Sequence, residues 1–133
     1  MMRKYAPLYL GILVLAFMSI QTTYAQKIKL PSPDFKKDMM EAFSPSDIEL
    51  SIDASKKEEL KKSNGDFLDQ VIKIAGSDSN DEEKKKSILS LGKKQSNAFS
   101  KILGENNAKK YKKSIKKKIR PFKTKYKLAT LIL

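Results

Sequence analysis

The sequence predicts an all-α fold, an antiparallel up-down helical hairpin or bundle of three long helices with a short helix before them. Three observations predict it. Apolar residues recur every three or four positions along three long stretches, the period of one helix face. β-branched residues never alternate over a run long enough to make a strand. Ser-x-x-Glu patterns and glycines stand where those stretches begin and end.

Taken in order, residues 26–32 read as an extended arm. Ser32-Pro33-Asp34 then opens a short helix, with serine as cap and proline at the first helical position. Phe35, Met39, Met40 and Phe43 give it one apolar face, which is expected to dock on the core. Ser44-Pro45-Ser46 ends it, and a polar connection runs to about Ala54. Ser55-x-x-Glu58 starts the second helix, whose face is Leu60, Phe67, Leu68, Val71, Ile72 and Ala75. Asn64-Gly65-Asp66 is a candidate break within it, and Gly76 closes it. Ser79-x-x-Glu82 opens the third, with Asp81-Glu82-Glu83 suited to the positive end of a helix dipole. Its face is Ile88, Leu89, Leu91, Gln95, Ala98, Phe99, Ile102 and Leu103, ending at Gly104. The last helix runs from about Glu105 toward Lys127 on a stripe of Ala108, Tyr111, Ile115, Ile119, Phe122 and Tyr126, and Pro121 should kink or restart it. The short connections at Gly76–Ser79 and Gly104 favour antiparallel neighbours, in an open cradle or a closed bundle. The apolar tail Leu128–Leu133 is expected to pack on the bundle, or to insert at an interface behind the lysines.

The N-terminus has a different character. Arg3 and Lys4 precede an uncharged run from Ala6 to Ile20, followed by Gln21-Thr22-Thr23-Tyr24-Ala25 with small residues at 23 and 25. That is the layout of a cleavable secretory signal peptide. The run falls short of the roughly 20 residues that span a bilayer. The chain thus divides into a signal peptide (1–25), an arm and short helix with linker (26–54) and a helical domain with a basic C-terminal helix (55–133). Export is expected, to a periplasm or outside the cell, with no transmembrane segment in the mature chain.

Composition narrows the chemistry. There is no Cys, His or Trp. Disulfides, thiolate or imidazole metal sites and the usual nucleophile–base pairs are therefore excluded, and no enzyme, cofactor or metal is expected. The acidic turn Asp78–Glu83 fails as a calcium loop. An EF-hand starting at Asp78 needs Gly at 83 and Glu at 89, where Glu83 and Leu89 stand.

Net charge is +13, and it is segregated. Lys27 to Glu83 carries 9 basic and 14 acidic residues, a net of −5, whereas Lys84 to Leu133 carries 17 basic residues against one acid, Glu105, a net of +16. From Lys109 to Lys127 there are 11 Lys or Arg residues. Candidate binding residues are Lys109, Lys110, Lys112, Lys113, Lys116, Lys117 and Arg120, with Tyr111 and Ile115 of the stripe between them. Either Glu58, Glu59, Asp66 and Asp69 of a neighbouring helix supply the counter-charge, or an outside partner does. Such a partner would be an unfolded or acidic polypeptide, or an anionic membrane surface or envelope polyanion. Export and the lone arginine of the mature chain argue against nucleic acid.

Leu91-Gly92-Lys93-Lys94-Gln95 and Leu103-Gly104-Glu105-Asn106-Asn107 are similar to the motif of the LTxxQ-motif periplasmic helical chaperones, the Spy/CpxP group. The first keeps Leu and Gln with Gly for Thr; the second keeps Leu and ends in Asn. The architecture of Ser55 to Lys127 resembles the same family. The resemblance implies a helical cradle with a basic, partly apolar surface for unfolded or acidic clients, hence a non-enzymatic, chaperone-like shield. The motif departures transfer no client-binding residue.

Overall fold

The computed structural model describes residues 28–45 and 50–132. Of these, 78% are helical and none is in a strand, so the all-α expectation holds. The signal-peptide expectation for residues 1–25 lies outside the described residues. Among the described residues there are five α-helices: α1 (Asp34–Ala42), α2 (Ala54–Ala75), α3 (Asp81–Leu103), α4 (Glu105–Ile119) and the single turn α5 (Phe122–Lys125). A 3-10 turn at Lys127–Leu131 follows.

The helix starts differ from the capping residues the sequence suggested. Ser32 makes no side-chain cap, because Pro33 is already in helical conformation and the Ser32 carbonyl receives the Phe35 N–H directly. Asp53, not Ser55, caps α2; its carboxylate accepts the Lys56 N–H at 2.8 Å. A carboxylate at the positive helix end carries charge as well as an acceptor, and Ala54 is a better helix former than serine. Asn80, not Ser79, caps α3, accepting from the Glu83 N–H at 2.9 Å. The triplet Asp81-Glu82-Glu83 occupies the first turn as expected.

Asn64-Gly65-Asp66 does not break α2, which runs unbroken for 22 residues. A glycine inside a helix costs about 1 kcal/mol relative to alanine. Tertiary bonds of the buried Asn64 amide offset that cost: it donates to Tyr111 Oη at 2.8 Å and accepts from Gln95 Nε2 at 2.9 Å. The last helix is shorter than the stripe implied. It stops at Ile119, and the chain restarts as α5 after Pro121, which has no N–H to give and whose ring crowds the preceding turn.

The packing order follows from side-chain pairs. Lys84 meets Ala75 while Gln95 meets Ser63 and Asn64, so residues later in α3 lie against residues earlier in α2. Likewise Phe99 packs on Tyr111, with ring centroids 4.9 Å apart, while Ser96 meets Lys112. Helix α1 contacts both α2 and α4. Phe35, Met39 and Phe43 enter the core there, and Phe43 packs on Phe67 and Phe99. The tail packs too: Leu128, Ala129 and Ile132 are buried, and the 3-10 turn lies against α3. No helix among the described residues is long and apolar enough to cross a membrane.

Candidate functional site

Helix α4 has one core face and one lysine face. Ala108, Tyr111, Ile115 and Ile119 are all buried. On one flank Lys112 Nζ donates to Ser96 Oγ of α3 at 2.9 Å, and on the other Lys118 Nζ donates to the Ser44 carbonyl beyond α1 at 3.0 Å. With core and both flanks assigned, the 100° step per residue turns Lys110, Lys113 and Lys117 outward, with Lys109, Lys116 and Arg120 on the α3 side. All six are exposed. They extend over about 16 Å of helix axis.

Two candidate binding residues need correction. Tyr111 and Ile115 are 0% exposed and belong to the core, not to a partner-facing surface. The stripe that sequence placed among the lysines points away from them, since residues one apart on a helix diverge by 100°. Tyr111 Oη donates to the Phe43 carbonyl and accepts from Asn64, fastening α4 to both α1 and α2. Burial pushes the Tyr111 hydroxyl pKa well above its ordinary value, against a smaller opposing effect of the Asn64 bond. Gln95 closes the network through Asn64 and Ser63, with Nε2 3.1 Å from Ser63 Oγ. Among the described residues no buried side-chain nitrogen or oxygen lacks a partner.

Two of the four acids considered as counter-charges pair elsewhere. Asp69 pairs with Lys36 of α1 at 2.7 Å, and Glu59 with Lys56 of its own helix at 3.6 Å. The remaining ion pair among the described residues joins Lys125 to Asp38 at 3.1 Å. Tyr126 Oη donates to the same Asp38 oxygen at 2.6 Å. The Tyr126 bond and then the Lys125 bond hold the Asp38 carboxyl below the usual carboxylate range, and the Asp38 bond raises the Lys125 ammonium. Within the described residues, then, no carboxylate forms an ion pair with Lys109, Lys110, Lys113, Lys116 or Lys117.

Two further features were not legible as sites. A groove of about 520 Å³ lies between α2 and α3, floored by Phe67, Leu91, Ala98 and Ile102 and rimmed by Glu59, Lys62, Asp66, Lys94 and Lys101. At the other end of that helix pair, the buried Lys84 donates to the carbonyls of Ala75 and Ile28, at 2.9 and 3.0 Å, while Asp81 accepts the Ile28 N–H at 3.1 Å. Both backbone groups of Ile28 are thus held, and Leu30 lies over Gly76, where an added Cβ would come within 3.0 Å of its Cδ1. This clamp orders the arm. No group of three or more His, Cys, Asp or Glu side chains that could hold a metal ion occurs among the described residues.

The segments similar to the chaperone motif have structural duties here. Gln95 belongs to the buried network, and Gly104 is the turn between α3 and α4 with φ 80°, a left-handed conformation that side chains other than glycine rarely adopt. Comparison with protein families, with curated proteins and with solved structures finds no match to this chain.

Proposed function

We propose that the chain is a non-enzymatic, exported binding protein that takes an anionic partner on the lysine face of α4. Its three long helices would form an up-down layer, with α1 and the C-terminal turn covering one side and the lysines lying on another. The observation that carries the reading is the run of exposed lysines on α4 with which no carboxylate among the described residues forms an ion pair. Like charges three and four apart on a helix repel, at a few tenths of a kcal/mol per pair. Lys109, Lys113 and Lys117 form such a series, as do Lys112 and Lys116. A cost repeated along one face is consistent with selection for binding rather than for folding. Export rests on the pattern of residues 1–25, and the non-enzymatic assignment on the absence of Cys and His.

The chaperone-like shield is the second reading, favoured by the apolar floor of the α2–α3 groove. It stands behind the first because the apolar stripes lie in the core and the exposed large hydrophobics are only Leu30 and Leu89 among the described residues. One measurement separates the two. A chemically unfolded client is diluted into the protein at low and at moderate salt, and light scattering is followed. Charge-driven binding protects only at low salt, because screening over about 8 Å at 0.15 M weakens exposed charges and leaves apolar contact intact. Equal protection at both salts would transfer the assignment to the groove.

A further inference from the structure

We infer that the partner is an anionic lipid bilayer surface, met by a face shared between α3 and α4 with Leu89 entering the interface; this rests on the anionic-partner reading above. The face is larger than α4. Ser96 and Lys112 join the two helices on their outer side. Seven residues are nearly two full turns, so Leu89 points to the same side as Ser96. With the helices running in opposite senses, it lies beside the stretch of α4 about seven residues beyond Lys112, where Lys116 and Arg120 emerge. Along α3 its neighbours one turn away are Lys86 and Lys93, both exposed. Leu89 itself is 43% exposed, although its helical spacing would have placed it in the core. Helical register thus sets a half-exposed leucine between Lys86 and Lys93 of its own helix and toward the stretch of α4 that carries Lys116 and Arg120.

That composition fits lipid better than a soluble chain. Lysine is a compact, flexible point charge that attracts anionic headgroups without needing a fixed fork geometry, and its long stem can lie along apolar surface. An apolar side chain amid such charges can enter the headgroup boundary while the lysines stay at the phosphates. Single-stranded nucleic acid is bound by stacking on several aromatic rings, and among the described residues Phe35, Phe43, Phe67, Phe99, Tyr111 and Tyr126 are buried, leaving only the half-buried Phe122 partly open. The groove that could follow an extended chain lies between α2 and α3, away from this face.

The chain has no tryptophan, so Leu89→Trp makes a single reporter at the proposed point of entry. All described residues lie within 28–132, and the chain from Gln26 keeps them; Lys61→Trp on α2 serves as the paired control. Both are mixed with vesicles of phosphatidylglycerol and phosphatidylcholine, with phosphatidylcholine vesicles, and with inorganic polyphosphate. A blue shift at position 89 alone, on the anionic vesicles alone, supports the proposal. So does a loss of about fivefold in vesicle affinity for each of Lys93→Ala and Lys116→Ala, the effect of one basic residue near an anionic surface. Salt-sensitive vesicle binding with no shift at position 89 overturns the leucine contact. Binding to polyphosphate without vesicle binding overturns the membrane assignment and leaves the anionic-partner reading standing. No binding to either removes both.

Discussion

Helices α2 and α4 bury similar apolar stripes and treat their outer surfaces in opposite ways. On α2, Lys56, Lys57, Lys61, Lys62 and Lys73 alternate with Glu58, Glu59, Asp66 and Asp69, and Asp69 reaches across to bind α1. On α4, seven lysines stand against Glu105. A mixed surface balances its own field and is nearly indifferent to salt. A single-sign surface projects a field of several kT, which raises the local concentration of opposite charge and weakens as ionic strength rises. The contrast separates a helix of mixed charge from one whose exposed charge is almost all of one sign.

The largest effect should come from inverting that contrast. The triple variant Lys113→Glu, Lys116→Glu, Lys117→Glu is expected to lose at least about a hundredfold in affinity for anionic vesicles, at roughly 1 kcal/mol per basic residue removed and more for reversal. The matched reversal Lys57→Glu, Lys61→Glu, Lys62→Glu on α2 should change affinity less than about threefold, as residues far from a charged surface contribute little. The α4 variant should unfold at no lower a denaturant concentration than the parent. Acids at positions 113 and 116 turn the repulsions with Lys109, Lys112 and Arg120 into attractions, which offsets their unfavourable place toward the negative end of the helix. Equal affinity losses from both triples would dissolve the distinction between the helices.

A smaller effect tests the two faces of α4 against each other. Tyr111→Phe leaves the Asn64 amide and the Phe43 carbonyl without their shared hydroxyl, which should cost about 2 kcal/mol in a urea titration. Anionic-surface affinity should not move, since the ring lies in the core. A change in affinity without a change in stability would return Tyr111 to the binding surface.

The smallest effects are in pH. Asp38 has a folded pKa below its unfolded value of about 4, so its contribution is complete above that value and is lost as pH falls through the folded one. Asp38→Asn should flatten the acid limb of the stability profile, read by thermal melts below pH 5. Tyr111 has the opposite sign. Its folded pKa is raised, so stability is complete below the unfolded phenol value of about 10 and declines as pH rises beyond it. Tyr111→Phe should remove that part of the alkaline decline, and an unchanged alkaline limb would place its origin elsewhere.

What residue order determined on its own is the local layer of the protein. Helix period, glycine stops and the proline restart are short-range, set by side-chain spacing and by backbone groups within a few residues, and the all-α class follows from them. Segregation of charge along the chain is likewise plain in the sequence and points to α4. Long-range packing decided the rest. Asp53 and Asn80 cap in place of Ser55 and Ser79, a shift of one or two residues that local patterns do not resolve. Asn64-Gly65 stays helical because Gln95 and Tyr111, 31 and 47 residues away, satisfy the amide. Tyr111 and Ile115 share a segment with the lysines but face the other way, and periodicity cannot say which neighbour covers which face. Leu89 stands next to the buried Ile88 in the apolar pattern and is nevertheless 43% exposed, which spacing along one helix does not resolve. Where two helices meet depends on every side chain between them, and so the face proposed across α3 and α4 can be read only in the folded chain.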